Sequence, residues 1–440
     1  MKKVIILLML AVAVNFTVSG QTDKIKFTEY DLSNGLHVIL HQDNSTPNVV
    51  VGVMYHVGTK NEEPTKTGFA HFFEHLMFEG SENIARGDYM KIVEANGGAL
   101  NANTSNDRTY YFELMPSNQL ELALWMEAER MLHAKIDTIG VNTQKGVVIE
   151  ERKQTMDNRP YGSFMEQSAQ RAFTVHPYRW VTLGDPEHIR NADFNDIYNF
   201  YTTFYVPNNA VLVVSGDFQE EQAKKWINDY FATIPKGTKP MYRPTMVEPP
   251  LTKEVRDTVY DKIQLPAIFM SYRSPAMGTK DAYAFEIMTQ ILSGGASSRL
   301  TANITDKGKA LETAMIYFDS EHPGVAYVIG VPNMGTDAMD VEIAINEEFE
   351  KISTTLVTEE EFQKAIAKKE YSIVQEQGSL RSITEMFANN YTYFKDATRI
   401  NNELQNFSSL TRDDILNVAK KYLAKNNRVV LYYLPEAEKK

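Results

Sequence analysis

Apolar and polar positions along the chain predict an α+β protein whose pattern occurs twice. Leu36 to His41 is an apolar stretch that follows an Asn34-Gly35 turn signal. Val49 to Val57 alternates as a half-buried strand would. A polar loop, Gly58 to Gly68, leads into a helix, and Asn96-Gly97-Gly98 then breaks the chain. Thr109 to Met115, rich in tyrosine and phenylalanine, reads as a strand. Pro116-Ser117 opens a long helix reaching about His133, with Leu120, Ala123, Leu124, Ala128 and Met131 at helical spacing. A second helix follows, and Asn209 to Ser215 is a strongly apolar strand. From Ile234 to Pro250 the periodicity stops and Pro235, Pro240, Pro244, Pro249 and Pro250 accumulate, which marks a linker. Beyond it the pattern partly repeats. Ala267 to Tyr272 is a strand, Ala282 to Leu292 a helix, Gly324 to Val331 a strand ending at Pro332, and a long helix runs on to about Ile352. Pro116 and Pro332 hold corresponding places, which suggests duplication of one α+β unit.

A chain of 440 residues exceeds one ordinary core, in agreement with that duplication. The expected division is a signal peptide over 1–20, an N-terminal domain over 21–233, the linker over 234–250 and a C-terminal domain over 251–440. In the leader, Lys2 and Lys3 precede the apolar run Val4 to Val14, and Val18-Ser19-Gly20 offers small residues ahead of Gln21. The run has 11 residues, and a bilayer span needs about 20. No cysteine follows that could carry a lipid anchor. The bacterial style of this leader points to the periplasm, with secretion beyond it equally consistent. A net charge of −12 argues against nucleic acid as a partner. The absence of cysteine excludes disulfides and thiolate metal ligands.

The chemistry concentrates in His71-Phe72-Phe73-Glu74-His75, an H-x-x-E-H stretch of the inverzincin zinc-peptidase type. Histidines four apart share one face of a helix, with Glu74 beside them. Two neutral imidazoles supply half of a tetrahedral zinc site. A carboxylate between them is placed to take a proton from a metal-activated water without being a ligand. Catalytic zinc usually has three protein ligands, so a third must come from elsewhere. The best candidate lies in Val147-Val148-Ile149-Glu150-Glu151. Val147, Val148 and Glu151 are three or four apart, which suits a helix with its apolar side on a core and Glu151 at the edge of that side. Glu150 then points to solvent, and it is the neighbour with which Glu151 could be confused. His37, His41, His56, His133, His176, His188 and His322 have no ligand-like spacing.

With these residues in view the chain resembles the pitrilysin family, which includes insulin-degrading enzyme and the mitochondrial processing peptidases. Val148 to Glu151 fits that family's V-x-x-E context, at a matching distance after His75. Gly97 to Thr104 (GGALNANT), Asp107 to Tyr111 (DRTYY), His176-Pro177-Tyr178, Tyr205 to Ala210 (YVPNNA) and Gly294 to Leu300 (GGASSRL) also match it.

The resemblance implies two homologous domains, each an antiparallel sheet backed by helices, that together form half of a peptidase chamber. It implies a zinc metalloendopeptidase with His71, His75 and Glu151 as ligands and Glu74 as general base, acting on peptides or unfolded polypeptide. The alternative is a catalytically inactive chamber or scaffold subunit that binds peptides for a partner. Asn101 and Ala102 match the edge strand on which substrate main chain pairs. Gln144 stands seven residues before Glu151, where some relatives carry an assisting glutamate. Tyr110 and Tyr111 read as sheet packing, and the second copy's helix, Phe285 to Gln290, has no motif. A complete chamber needs two such halves, so a dimer is expected. Non-catalytic halves often carry an arginine and a tyrosine that hold substrate, but here Asp306 and Thr313 occupy those places, and Arg299 and Tyr317 do not restore the spacing. That favours a heterodimer with a related subunit supplying the Arg/Tyr pair, against a homodimer that holds substrate by other residues.

Overall fold

The computed structural model describes residues 24–438. The expected leader, residues 1–20, lies outside the described residues. The first sheet contains β1 (Thr28–Asp31), β2 (His37–Gln42), β3 (Asn48–Tyr55), β4 (Ala99–Thr104), β5 (Thr109–Pro116) and β6 (Ala210–Gly216). The second contains β7 (Val255–Asp261), β8 (Ala267–Arg273), β9 (Ala310–Tyr317), β10 (Val325–Pro332) and β11 (Arg428–Pro435). Their orders are β1-β2-β6-β3-β5-β4 and β7-β11-β8-β10-β9. Apart from β1, the two sheets follow one path, as a duplicated unit requires.

Helices alternate with the strands in the same way. In the first unit α1 (Phe69–Leu76) and α2 (Tyr89–Ala95) lie between β3 and β4. After β5 come α3 (Leu120–His133), α4 (Thr138–Arg152), α5 (Phe164–Ala172), α6 (Pro186–Asn191) and α7 (Phe194–Phe204), and α8 (Glu220–Phe231) follows β6. In the second unit α9 (Lys280–Ser293) lies between β8 and β9, and α10 (Ala338–Thr354), α11 (Glu359–Gln377) and α12 (Leu380–Phe394) follow β10. No helix among the described residues is long and apolar enough to cross a membrane.

The sheets are antiparallel except for one parallel pair in each, β2 with β6 and β7 with β11. Both exceptions involve the last strand of a unit. It returns after a long helical excursion, which is the connection a parallel pair needs.

The central strands β3, β6 and β8 are buried on both faces, so β3 is not the half-buried strand its pattern suggests. Val49, Val51 and Val53 face the first unit's own helices, where Phe72 and Leu124 meet them. Val50 and Met54 face the other way, with Val211, Val213 and Phe112, onto Ile383, Phe387 and Ala388 of α12. That helix belongs to the second unit. The exchange is reciprocal. Ala169, Ala172 and the following Phe173 of the α5 segment pack on Phe269, Leu431 and Tyr433 of the second sheet. Each unit thus lends a helix to the other's sheet. A side chain such as Phe387, fully buried, contributes about 1.5–3 kcal/mol by leaving water.

Residues 234–250 carry no helix or strand. They are nonetheless strapped to the first unit. Asn61 donates to the Tyr242 carbonyl at 2.8 Å and Arg243 to the His56 carbonyl at 2.6 Å. The Glu248 carboxylate accepts from the backbone N–H groups of Thr174, Val175 and His176.

Candidate active site

Helix α1 is anchored by Phe69, Phe72, Phe73 and Leu76, all buried. These positions form one stripe at helical spacing, which leaves His71, Glu74 and His75 on the remaining face. The helix opens at Gly68, whose φ of 90° is left-handed. A Cβ there would stand 2.9 Å from the Leu183 carbonyl oxygen, so glycine is required. Glycine offers no capping side chain. Glu62 takes over instead, accepting from Gly68 N at 2.9 Å and Ala70 N at 2.8 Å. A carboxylate at a helix N-terminus also meets the positive end of the dipole. Burial outweighs those bonds and pushes the Glu62 carboxyl up to about 8.

Helix α4 brings the third side chain. It is capped by Asp137, which accepts from Gly140 N at 2.8 Å. Val148 anchors it, at 1% exposure. Val147 is 43% exposed, so it does not belong to the buried side as the sequence suggested. The buried stripe runs through Val141 and Val148, one heptad apart, and Glu151 borders it. Glu150 lies on the outer face beside Lys153, at 3.3 Å.

The structure brings His71, His75 and Glu151 together. His71 Nε2 and His75 Nε2 are 3.3 Å apart. Glu151 Oε2 is 3.2 Å from His75 Nε2 and 3.7 Å from His71 Nε2. Zinc bonds of about 2.0–2.2 Å in a tetrahedron set neighbouring donors roughly 3.3–3.6 Å apart. The three donors therefore stand close to the edge lengths of one tetrahedral face. Burial first, and the neighbouring His75 second, lower the His71 pKa to about 4. His71 is thus neutral at ordinary pH, the form that has a lone pair to give a metal.

Glu74 sits on the same face. Its Oε2 accepts from the Thr104 hydroxyl at 2.6 Å. Burial raises its pKa, against the lowering effects of the Thr104 hydrogen bond and His75. Thr104 ends β4, which the strand order leaves as an open edge of the sheet. Asn101 and Ala102 lie on that edge strand. The Ala102 N–H is bonded to the Asn101 side chain at 2.8 Å, a local contact that an added strand could replace. The role of Thr104 has no local signature in the sequence, because it depends on β4 lying beside α1.

The remaining candidates fall elsewhere. Gln144 bonds Glu79 at 2.6 Å, and Arg86 also donates to that carboxylate. Tyr110 and Tyr111 are fully buried. Tyr178 donates to Asp107 Oδ1 at 2.5 Å, and Asp107 pairs with the buried Lys60 at 2.9 Å. In the second unit Arg299 is held by Glu361 at 2.7 Å, and Thr313 shares a hydrogen bond with Thr305 at 2.9 Å. A cavity of about 670 Å³ lies between the units, lined by Thr104, Asp107 and Arg108 on one side and Tyr317, Asp319 and Tyr393 on the other.

Two family models match the chain. Residues 37–183 match the insulinase model, peptidase family M16. Residues 191–369 match the peptidase M16 inactive domain. The zinc protease PqqE of Helicobacter pylori is 28% identical over 432 residues, 97% of each chain. The crystal structure of a protease from Helicobacter pylori superposes with a TM-score of 0.89 at 28% identity, over 93% of this chain and 100% of that one. The periplasmic protease PqqL of Escherichia coli shares the fold, with a TM-score of 0.74 at 18% identity; 93% of this chain matches 47% of that longer one.

Proposed function

Because the chain belongs to the insulinase family of peptidases, M16, also called the pitrilysin family, we propose that it is a zinc-dependent endopeptidase that hydrolyses peptides and unfolded segments. The observation that carries this reading is the convergence of His71, His75 and Glu151 beside Glu74. The two imidazole nitrogens and one carboxylate oxygen would hold zinc and leave a fourth position open. Zinc, when bound, supplies the Lewis acidity that makes water nucleophilic near neutral pH. Glu74 takes the proton of the attacking water on its carboxylate and delivers it to the leaving amine.

The open edge of β4 receives the substrate main chain as an added strand at Asn101 and Ala102. That mode draws affinity from backbone hydrogen bonds, so it selects extended chains and reads their sequence weakly. The leader-like residues 1–20 support action after export, in the periplasm.

The chain has two units, and one of them lacks the motif. The match to under half of the PqqL chain supports a chamber built from two such halves. The second half is another copy or a related subunit carrying an Arg/Tyr pair. The alternative, a subunit that only binds peptides for a partner, is decided by one experiment. Purified protein is assayed for zinc content and for cleavage of unfolded peptides, with and without a chelator, alone and with a candidate related subunit. Chelator-sensitive cleavage lost in Glu74→Gln supports the endopeptidase. Zinc-free protein that binds peptides without cleaving them defeats it.

A further inference from the structure

We infer that the unit without the motif positions the catalytic glutamate, through a hydrogen-bonded relay that runs from Glu385 by way of Arg108, Asn103 and Thr104 to Glu74. The inference rests on the endopeptidase reading for the role of Glu74. The relay begins on α12, the helix that the second unit lends to the first sheet. From that helix Glu385 accepts from Arg108 Nη2 at 2.9 Å. The other guanidinium nitrogen, Nη1, donates to the Asn103 backbone carbonyl at 3.1 Å and to the Asn103 side-chain oxygen. Asn103 adjoins Thr104 on β4, and Thr104 donates to Glu74 Oε2 at 2.6 Å.

Three features make this more than a chain of contacts. First, β4 is an edge strand, held by a neighbour on one side only. Its end is closed by the turn to β5, where Ser105 N bonds the Arg108 carbonyl at 2.9 Å, and it carries the hydroxyl that orients the base. Second, Arg108 and Glu385 are shielded, with side chains 12% and 26% exposed, so their pairing is screened less than that of a surface pair. Third, Thr104 is the sole side-chain hydrogen-bond partner of the Glu74 carboxylate among the described residues. Holding Oε2 fixes one oxygen of the carboxylate and leaves Oε1 for the proton. Small misplacements of a reacting group are costly in rate, so an anchor several residues away acts on kcat. Glu385, Arg108 and Thr104 are positioning residues in this scheme. None of them exchanges a proton with substrate.

The test uses the full chain and a fluorogenic peptide, with zinc content and thermal stability checked for every variant. Thr104→Val keeps the shape and removes the hydroxyl. It lowers kcat by about 10-fold with KM nearly unchanged, and Thr104→Ser restores most of the loss. Glu385→Ala lowers kcat by roughly 3-fold or more. The double variant is no slower than Thr104→Val alone, because both changes break one relay. Glu385→Gln, closer in shape, serves if the alanine variant fails to fold. A second readout needs no turnover. In metal-free protein, hydrogen exchange of the amides over 99–104 speeds up in the Glu385 variant. Unchanged kcat in Thr104→Val, losses that multiply in the double variant, or unchanged exchange would each overturn the relay. Failure of the underlying reading looks different: the unaltered protein does not cleave, or Glu74→Gln cleaves as well as it does. In that case the exchange measurement still decides whether Glu385 anchors β4.

Discussion

The two units place a helix pair at the same point of the same sheet path, and they fill the junction with opposite chemistry. In the first unit α1 meets α4, and the facing side chains are two imidazoles and a carboxylate. In the second, α9 meets α11, and the facing side chains are Glu286 and Lys369, 2.7 Å apart. Lys369 also lies 4.8 Å over the Phe407 ring. One junction gathers two imidazoles and a carboxylate, the donor set proposed above to hold a cation. The other carries its cation on a lysine stem. The path of strands and helices is shared, and the two crossings differ in the polar side chains they bring together. Duplication of the fold has therefore not duplicated the side-chain cluster at the crossing.

The comparison is broken most directly at the junctions. His75→Ala is expected to abolish both zinc binding and cleavage, measured by metal analysis and peptide assay. Glu151→Ala should lose zinc, and Glu150→Ala should keep it. At the other junction Lys369→Met should leave zinc stoichiometry intact and cost about 1–2 kcal/mol of stability, since Glu286 loses a half-buried partner. Zinc loss in Lys369→Met would mean that the two junctions are not independent. The next effect in size separates binding from chemistry. Glu74→Gln should retain zinc and thermal stability yet lose about 10²–10⁴ in rate, the usual cost of removing a general base. Near-normal turnover would remove Glu74 from the mechanism.

A smaller effect tests the contact between the units. His176 of the first unit packs against His322 of the second, with ring centroids 5.0 Å apart. Burial, and then the charge of His322, lower the His176 pKa from 6.5 to about 4. Between those values the unfolded chain binds the proton and the folded chain does not. Stability therefore rises with pH across that window and is lost as pH falls from 6.5 towards 4. The expected loss is about 1–3 kcal/mol. His71 titrates with the same sign, so the measurement is a difference. In metal-free protein, thermal unfolding of His176→Asn should vary less between pH 7 and 5 than that of the unaltered chain. Equal slopes would place the acid sensitivity elsewhere.

The same contrast explains what the sequence made legible. The duplicated unit, the apolar strands β2, β3, β5, β6, β8 and β10, and the helices after Pro116 and Pro332 are local patterns, and each stands where its pattern placed it. His71, Glu74 and His75 were legible because helical spacing alone puts them on one face. The pattern predicts no strand at β7, which is mostly exposed, or at β9, on an open edge, and it also leaves out β11, although that strand is apolar and buried. The local pattern of β3 reads as half-buried because its second cover, α12, comes from more than 300 residues further along the chain. Thr104 and Arg108 acquire their roles only when β4, α1 and α12 meet, and no local pattern announces that meeting.

The smallest expected effect bears on α4, where Val147 stands on the exposed side and Val148 on the buried one. Val148→Ala removes methyl groups from a fully packed site and should cost about 1–3 kcal/mol. Val147→Ala, on the exposed side of the same helix, should stay within about 0.5 kcal/mol. Thermal unfolding of the two variants measures the difference. The order matters more than the size. At 3.6 residues per turn, a one-residue change of phase turns a helix by about 100°. If Val147 were the costlier position, α4 would be turned by that angle. Glu150 would then swing towards His71 and His75, and Glu151 would swing away. The weakest perturbation on the outer face of α4 thus tests the same assignment as the strongest one at its inner end.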